Sequence, residues 1–175
     1  MRKLIPLVLV LTVFSISGWG DEIDSLSQIL LTGKGIKDTD KDTLADYVSL
    51  CIIIPDDPNP YELALASDIA ARVNLESLVV DLSLVKKESQ TREKRPLRFP
   101  VLIGRQTNWA KRLEQQGLLD SSSLSEHQGF VTAFKDGEQT GIAVVGGSPE
   151  ALLRTGRAFF LRWPYLWDIW GREEG

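Results

Sequence analysis

The chain has 175 residues, of which 43% are hydrophobic and 25% charged, and carries a formal charge of −4 at pH 7. These are ordinary values for one folded domain, and that length buries a working core without staples. A weakly acidic balance argues against nucleic acid, which needs a basic face, and a single cysteine excludes an intrachain disulfide.

Met1-Arg2-Lys3 followed by the apolar run Leu4–Ile16 reads as the charged and hydrophobic regions of a secretory signal peptide. The run is too short to span a bilayer comfortably. Small residues at Ser15-Ile16-Ser17-Gly18 and Gly18-Trp19-Gly20 offer two cleavage patterns. Residues 1–20 are therefore expected to leave during export to the periplasm or the medium, with no stable membrane insertion afterwards. Without Arg2 and Lys3, 18 of the 20 basic residues remain against 24 acidic ones.

Residues 21–46 form a lead-in with a possible short helix at 25–31. It ends in the run Asp38-Thr39-Asp40-Lys41-Asp42-Thr43-Leu44-Ala45-Asp46. Carboxylates at relative positions 1, 3, 5 and 9 suit a calcium loop, because alternate residues of a tight coil point at one centre. Asp38, Asp40, Asp42 and Asp46 are the side-chain candidates, and the Leu44 carbonyl is the candidate at position seven. Thr43 stands where such loops want glycine, and Ser49 where an EF-hand has a bidentate glutamate. The competing reading is a solvated acidic turn.

The α/β domain is expected over 47–163. Tyr47–Ile54 reads as an apolar, β-branched strand ended by Pro55. Asn59 and Pro60 are the N-cap and first position of a helix reaching about Val73. Ser77–Leu84 reads as a second strand, completing a βαβ unit and predicting parallel pairing. Cys51 reads as a small buried hydrophobe. The run Lys86–Arg98, with six Lys or Arg, reads as a solvated loop. Phe99–Gly104 is expected as a short central strand, followed by a helix over about 109–116 capped by Asn108. Gly129–Phe134 and Gly141–Val145 are strands joined by a turn at Asp136-Gly137. Ser148 and Pro149 open a last helix running to about Arg162. The predicted class is α/β: a mixed, mostly parallel sheet in the order βαβ-βα-ββ-α.

Residues 164–175 read as an aromatic tail or the start of a further domain. Trp163, Tyr165, Trp167 and Trp170 are candidates for ligand stacking or an interface, with packing on the domain itself as the alternative. Gly146-Gly147-Ser148 lacks the further glycines of a dinucleotide loop and the lysine of a phosphate loop, so a capped tight turn is expected. His127, the only histidine, sits in a polar loop and reads as a surface residue. No complete catalytic constellation emerges, and no catalytic residue is assigned. Asp81 is the one carboxylate in an apolar context, at a strand end.

The strand order, with Phe99-Pro-Val-Leu-Ile-Gly-Arg105, Gly129-Phe130 and Gly141-Ile-Ala-Val-Val-Gly-Gly-Ser-Pro-Glu150, resembles the small α/β domain preceding the catalytic barrel of hexosaminidases and α-glucuronidases. The acidic run also resembles the "DTDGDGLAD" loops near the start of large exported bacterial proteins, with Lys41 and Thr43 in place of glycines. The first resemblance covers about Tyr47–Arg162 and implies a non-catalytic accessory module. Its partner would be a downstream domain of the same polypeptide, a hydrolase or cell-envelope protein. A free-standing carbohydrate- or peptidoglycan-binding protein and a small hydrolase with unassigned carboxylates are the alternatives.

Overall fold

The structure is a computed structural model that describes residues 35–77, 83–91 and 99–161, together with Leu26. The signal segment, Asp81 and the aromatic residues Trp163, Tyr165, Trp167 and Trp170 lie outside the described residues.

Two short strands, β1 (Ile36–Lys37) and β2 (Tyr47–Val48), pair antiparallel, Ile36 against Val48. They clamp the two ends of the acidic run between them. The main sheet holds β3 (Leu50–Ile54), β4 (Val85–Lys87), β5 (Phe99–Ile103), β6 (Gly129–Asp136) and β7 (Gln139–Gly146). Their order is β4-β3-β5-β7-β6, and only the edge strand β6 is antiparallel. Helices α1 (Pro60–Leu75), α2 (Asn108–Gln115) and α3 (Pro149–Phe160) pack on this sheet. The mostly parallel α/β sheet expected from the sequence is thus present, with β5 at its centre.

The strands alternate between two cores, as a period of two requires. Ile52, Ile54, Val101, Ile103, Ile142 and Val144 face α1 and α3. Cys51, Ile53, Leu102, Ala143 and Val145 face α2. Gly156 of α3 lets α1 approach closely, since a Cβ there would lie 2.4 Å from Leu65 Cδ1. On the other face, α2 is anchored to the β6–β7 hairpin. Trp109 Nε1 donates to Asp136 Oδ2 at 2.9 Å, Arg112 pairs with the same carboxylate, and the Trp109 and Phe134 rings meet edge to face at 5.6 Å.

Three sequence expectations are corrected. Of the strand expected over 77–84, residues 78–82 lie outside the described residues, Ser77, Ser83 and Leu84 are not in a strand, and the strand that pairs with β3 here is Val85–Lys87, with Val85 opposite Ile52. The run expected to be a solvated loop from Lys86 therefore opens as a strand and continues into a 3-10 turn, Glu88–Thr91, with Glu88 and Thr91 buried. The cap of α2 is Thr107 rather than Asn108: its hydroxyl accepts from the Ala110 amide at 3.0 Å. Asn59 and Ser148 cap α1 and α3 as expected. Among the described residues no helix is long and apolar enough to cross a membrane.

Candidate functional site

The acidic run folds back on itself through its own carboxylates. Asp38 Oδ1 accepts the Lys41 amide at 2.7 Å, and Asp38 Oδ2 accepts the Thr43 amide at 2.9 Å. Asp40 Oδ1 accepts the Asp42 amide and Asp42 Oδ1 the Leu44 amide, at 3.2 and 2.8 Å. This coiling gathers Asp38, Asp40 and Asp42: one oxygen from each lies within 4.8 Å of the others. Three hard oxygen donors so placed can hold a metal ion.

Lys41 and Thr43 take positive φ, 64° and 78°, as the coil demands. These are the two positions where the resembled pattern carries glycine. L-residues pay about 1–2 kcal/mol for this region, and a β-branched side chain is an outlier there.

Asp46 has a different task from the other three. Its Oδ1 accepts the Thr39 amide at 2.9 Å and its Oδ2 the Thr39 hydroxyl at 2.6 Å. Those two bonds, hydroxyl first, hold the Asp46 carboxyl below its usual pKa. For Asp40 the Asp42 amide pulls downward. Desolvation and the charges of Asp42 and Asp46 outweigh it, so the Asp40 carboxyl lies above its usual value. Leu44 has an exposed side chain and donates its amide to Asp42.

A second polar cluster sits where open α/β sheets bind ligands: the carboxyl edge, at the point where successive connections leave in opposite directions. Here that point lies between β3 and β5. Their following helices, α1 and α2, pack on opposite faces. The crevice is filled from within. Glu88, 8% exposed, presents Oε2 to the Asn108 amide at 2.8 Å and to Asn108 Nδ2 at 3.0 Å, and Oε1 to the Trp109 amide at 2.7 Å. A helix N-terminus is a ready anion site, and the chain's own carboxylate occupies this one. Asp56, just after β3, accepts the Ser89 amide at 2.9 Å and ties down the same turn.

The other two helix starts are closed in the same way. Asn59 Oδ1 accepts from Tyr61 and Glu62, and Glu62 Oε2 accepts the Asn59 amide at 2.9 Å, a complete capping box. Glu62 packs on Gly104, which has φ +74° and no room for a Cβ, 2.5 Å from Glu62 Oε1. Burial raises the Glu62 pKa, with the Asn59 amide pulling against it. At α3, Ser148 Oγ accepts the Ala151 amide at 3.2 Å. A Cβ on Gly146 would meet the Leu152 amide nitrogen at 2.3 Å, and one on Gly147 the Ser125 carbonyl at 2.0 Å. The glycines at Gly146-Gly147-Ser148 thus serve close packing. His127 is exposed, and its carbonyl accepts from Arg154 at 3.0 Å.

Glu88 was hidden in the sequence among six cations. A glutamate in a basic run reads as solvated, and only the β4 register shows that it points inward. The chain matches no protein-family model and no curated protein.

Proposed function

We propose that this chain is the non-catalytic α/β module of an exported protein, with Asp38–Asp46 as a calcium loop at its start. The observation that carries the module reading is the closed carboxyl edge. Glu88, Glu62, Asn59, Thr107 and Ser148 satisfy the helix starts that an α/β enzyme leaves open for substrate. These groups, spent on one another, position a domain and are not free to act on a substrate. The resemblance to the domain preceding hexosaminidase and α-glucuronidase barrels points the same way. In this reading residues 1–20 direct export. Trp163, Tyr165, Trp167 and Trp170 meet a downstream domain of the same polypeptide or an envelope carbohydrate.

Calcium is the ion of choice because all three gathered donors are carboxylate oxygens and the exterior is calcium-rich. Bound cation would neutralise the repulsion from Asp42 and Asp46 that, with desolvation the larger cause, raises the Asp40 pKa.

Two measurements test the proposal. Purified chain should turn over no fluorogenic glycoside, ester or peptide; turnover that survives repurification would end the module reading. Calcium at about tenfold above its Kd should stabilise the fold by about 1.4 kcal/mol, seen as a rise of about 3–5 °C in Tm. D38N should abolish the rise. A calcium-independent Tm would remove the ion.

A further inference from the structure

Beyond the closed crevice, the described residues form an open cleft of about 700 Å³ on the α2 face. Three segments line it: the β5–α2 turn with Arg105 and Gln106, the α2 side chains Lys111 and Glu114, and the returning connection Asp120–Ser122. Lys111 and Glu114 are three apart on the helix and share a face. The volume falls within the range of small-molecule sites.

The polar groups here are not all consumed. Arg105 and Lys111 make no ion pair among the described residues, although Glu114 and Asp120 line the same cleft. Each carboxylate is held by one oxygen only. Glu114 Oε1 accepts from the buried Ser121 hydroxyl, and Asp120 Oδ1 accepts the Ser122 hydroxyl at 2.8 Å and amide at 3.3 Å. Glu114 Oε2 and Asp120 Oδ2 accept nothing among the described residues. The serines thus fix the acceptors in place and leave their second oxygens open.

We propose that this cleft binds a small polyhydroxylated monocarboxylate, such as a sugar acid. Arg105 offers a planar fork matched to one carboxylate, and Lys111 adds a second positive charge. The open oxygens of Glu114 and Asp120 accept ligand hydroxyls, and the Gln106 amide can donate and accept. Two cations against two carboxylates leave the cleft without net charge, so a phosphate dianion is disfavoured by the acidic pair. The inference does not depend on the module reading, since a binding cleft on α2 is compatible with or without a downstream enzyme.

The test is an amide NMR titration of the purified chain with galacturonate, with galactose and inorganic phosphate in parallel. Galacturonate should shift amides within 105–106 and 111–122, with Kd on the order of 1 mM. Galactose and phosphate should bind about tenfold or more weakly, the share of one charge-assisted contact. R105Q should weaken galacturonate by a similar factor while the remaining spectrum is unchanged. K111Q, an independent exposed change, should weaken it less. The proposal is overturned if galacturonate shifts nothing at about 20 mM, well above that Kd. It is overturned equally if galactose or phosphate matches galacturonate, or if both variants bind as the parent does.

Discussion

The carboxyl edge of the sheet and the Asp38–Asp46 loop are both rich in acidic groups, and they treat them in opposite ways. At the edge three carboxylates meet donors. Glu88 takes two amides and a side-chain nitrogen, Glu62 takes the Asn59 amide, and Asp56 takes the Ser89 amide. In the loop, three carboxylates are turned toward one another, and two residues without glycine's freedom adopt positive φ to allow it. The helix starts at the edge are therefore satisfied from within. The three gathered loop carboxylates accept backbone amides of the loop itself, and their like charges, one oxygen of each within 4.8 Å of the others, are left to repel. Polar density alone does not mark a site; the sign and pairing of the groups do.

The comparison breaks most sharply at Glu88. E88A would leave the buried Trp109 amide and the part-buried Asn108 amide without their acceptor. A buried donor orphaned in this way costs about 1–3 kcal/mol, and the part-buried Asn108 amide adds less. A total loss of about 3 kcal/mol is expected, or about 6–12 °C in Tm. E88Q, which keeps acceptor capacity on one side, should cost about half as much, within the range for neutral against charge-assisted bonds. Hydrogen exchange at Asn108 and Trp109 localises the effect. If E88A melts with the parent, Glu88 is not the closure of the switch point.

Much of the fold was legible because local chemistry and global packing agree. Asn59-Pro60 and Ser148-Pro149 announce helices through capping geometry alone, and Cys51–Ile54 reads as a buried strand because all four residues are apolar. What was not legible depends on register. Val85–Lys87 is short and two-thirds lysine, and it becomes a strand only because Ile52–Ile54 offers it a parallel edge. The Arg105–Ser122 cleft joins residues up to seventeen positions apart with no motif among them. The loop stood out by its spacing, yet the split of duties within it did not. Asp46 at position nine reads as a fourth ligand from spacing alone, and the structure adds that its carboxylate accepts the Thr39 amide and hydroxyl.

A gentler contrast comes from strain. T43G replaces a β-branched residue at φ 78° with one that prefers it. The relief of about 1–2 kcal/mol is offset in part by the greater freedom of glycine in the unfolded chain, about 0.5–1 kcal/mol. The expected gain is roughly 0.5–1 kcal/mol without calcium, together with tighter calcium binding. K41G should do the same to a smaller extent, since lysine is unbranched. The matching change at the edge, G104A, should destabilise, because φ is +74° and Glu62 leaves no room for a methyl group. A T43G protein less stable than the parent, with calcium absent, would show that the loop conformation is not the one described.

The smallest expected effect is the most specific, since it separates Asp46 from Asp40 within one loop. The Asp46 pKa is lowered by Thr39, so its contribution to stability is present above the unfolded carboxyl value. It is lost as pH falls through the lower, folded value. The Asp40 pKa is raised, with Asp42 and Asp46 as its charged neighbours. Ionised Asp40 therefore opposes folding at neutral pH, and the penalty disappears as acid protonates it. Acid should act on the two in opposite directions, and calcium should cancel only the Asp40 part. D40N should raise calcium-free stability slightly at pH 7 and remove the calcium response. D46N should lower stability at pH 7 and have little further effect once the pH is below the lowered Asp46 value, where the parent's Asp46 is itself protonated. Side-chain NMR titration of the two carboxyls gives the order directly: Asp46 should titrate below Asp40 in the calcium-free chain, and the reverse order would remove the division of labour drawn within the loop.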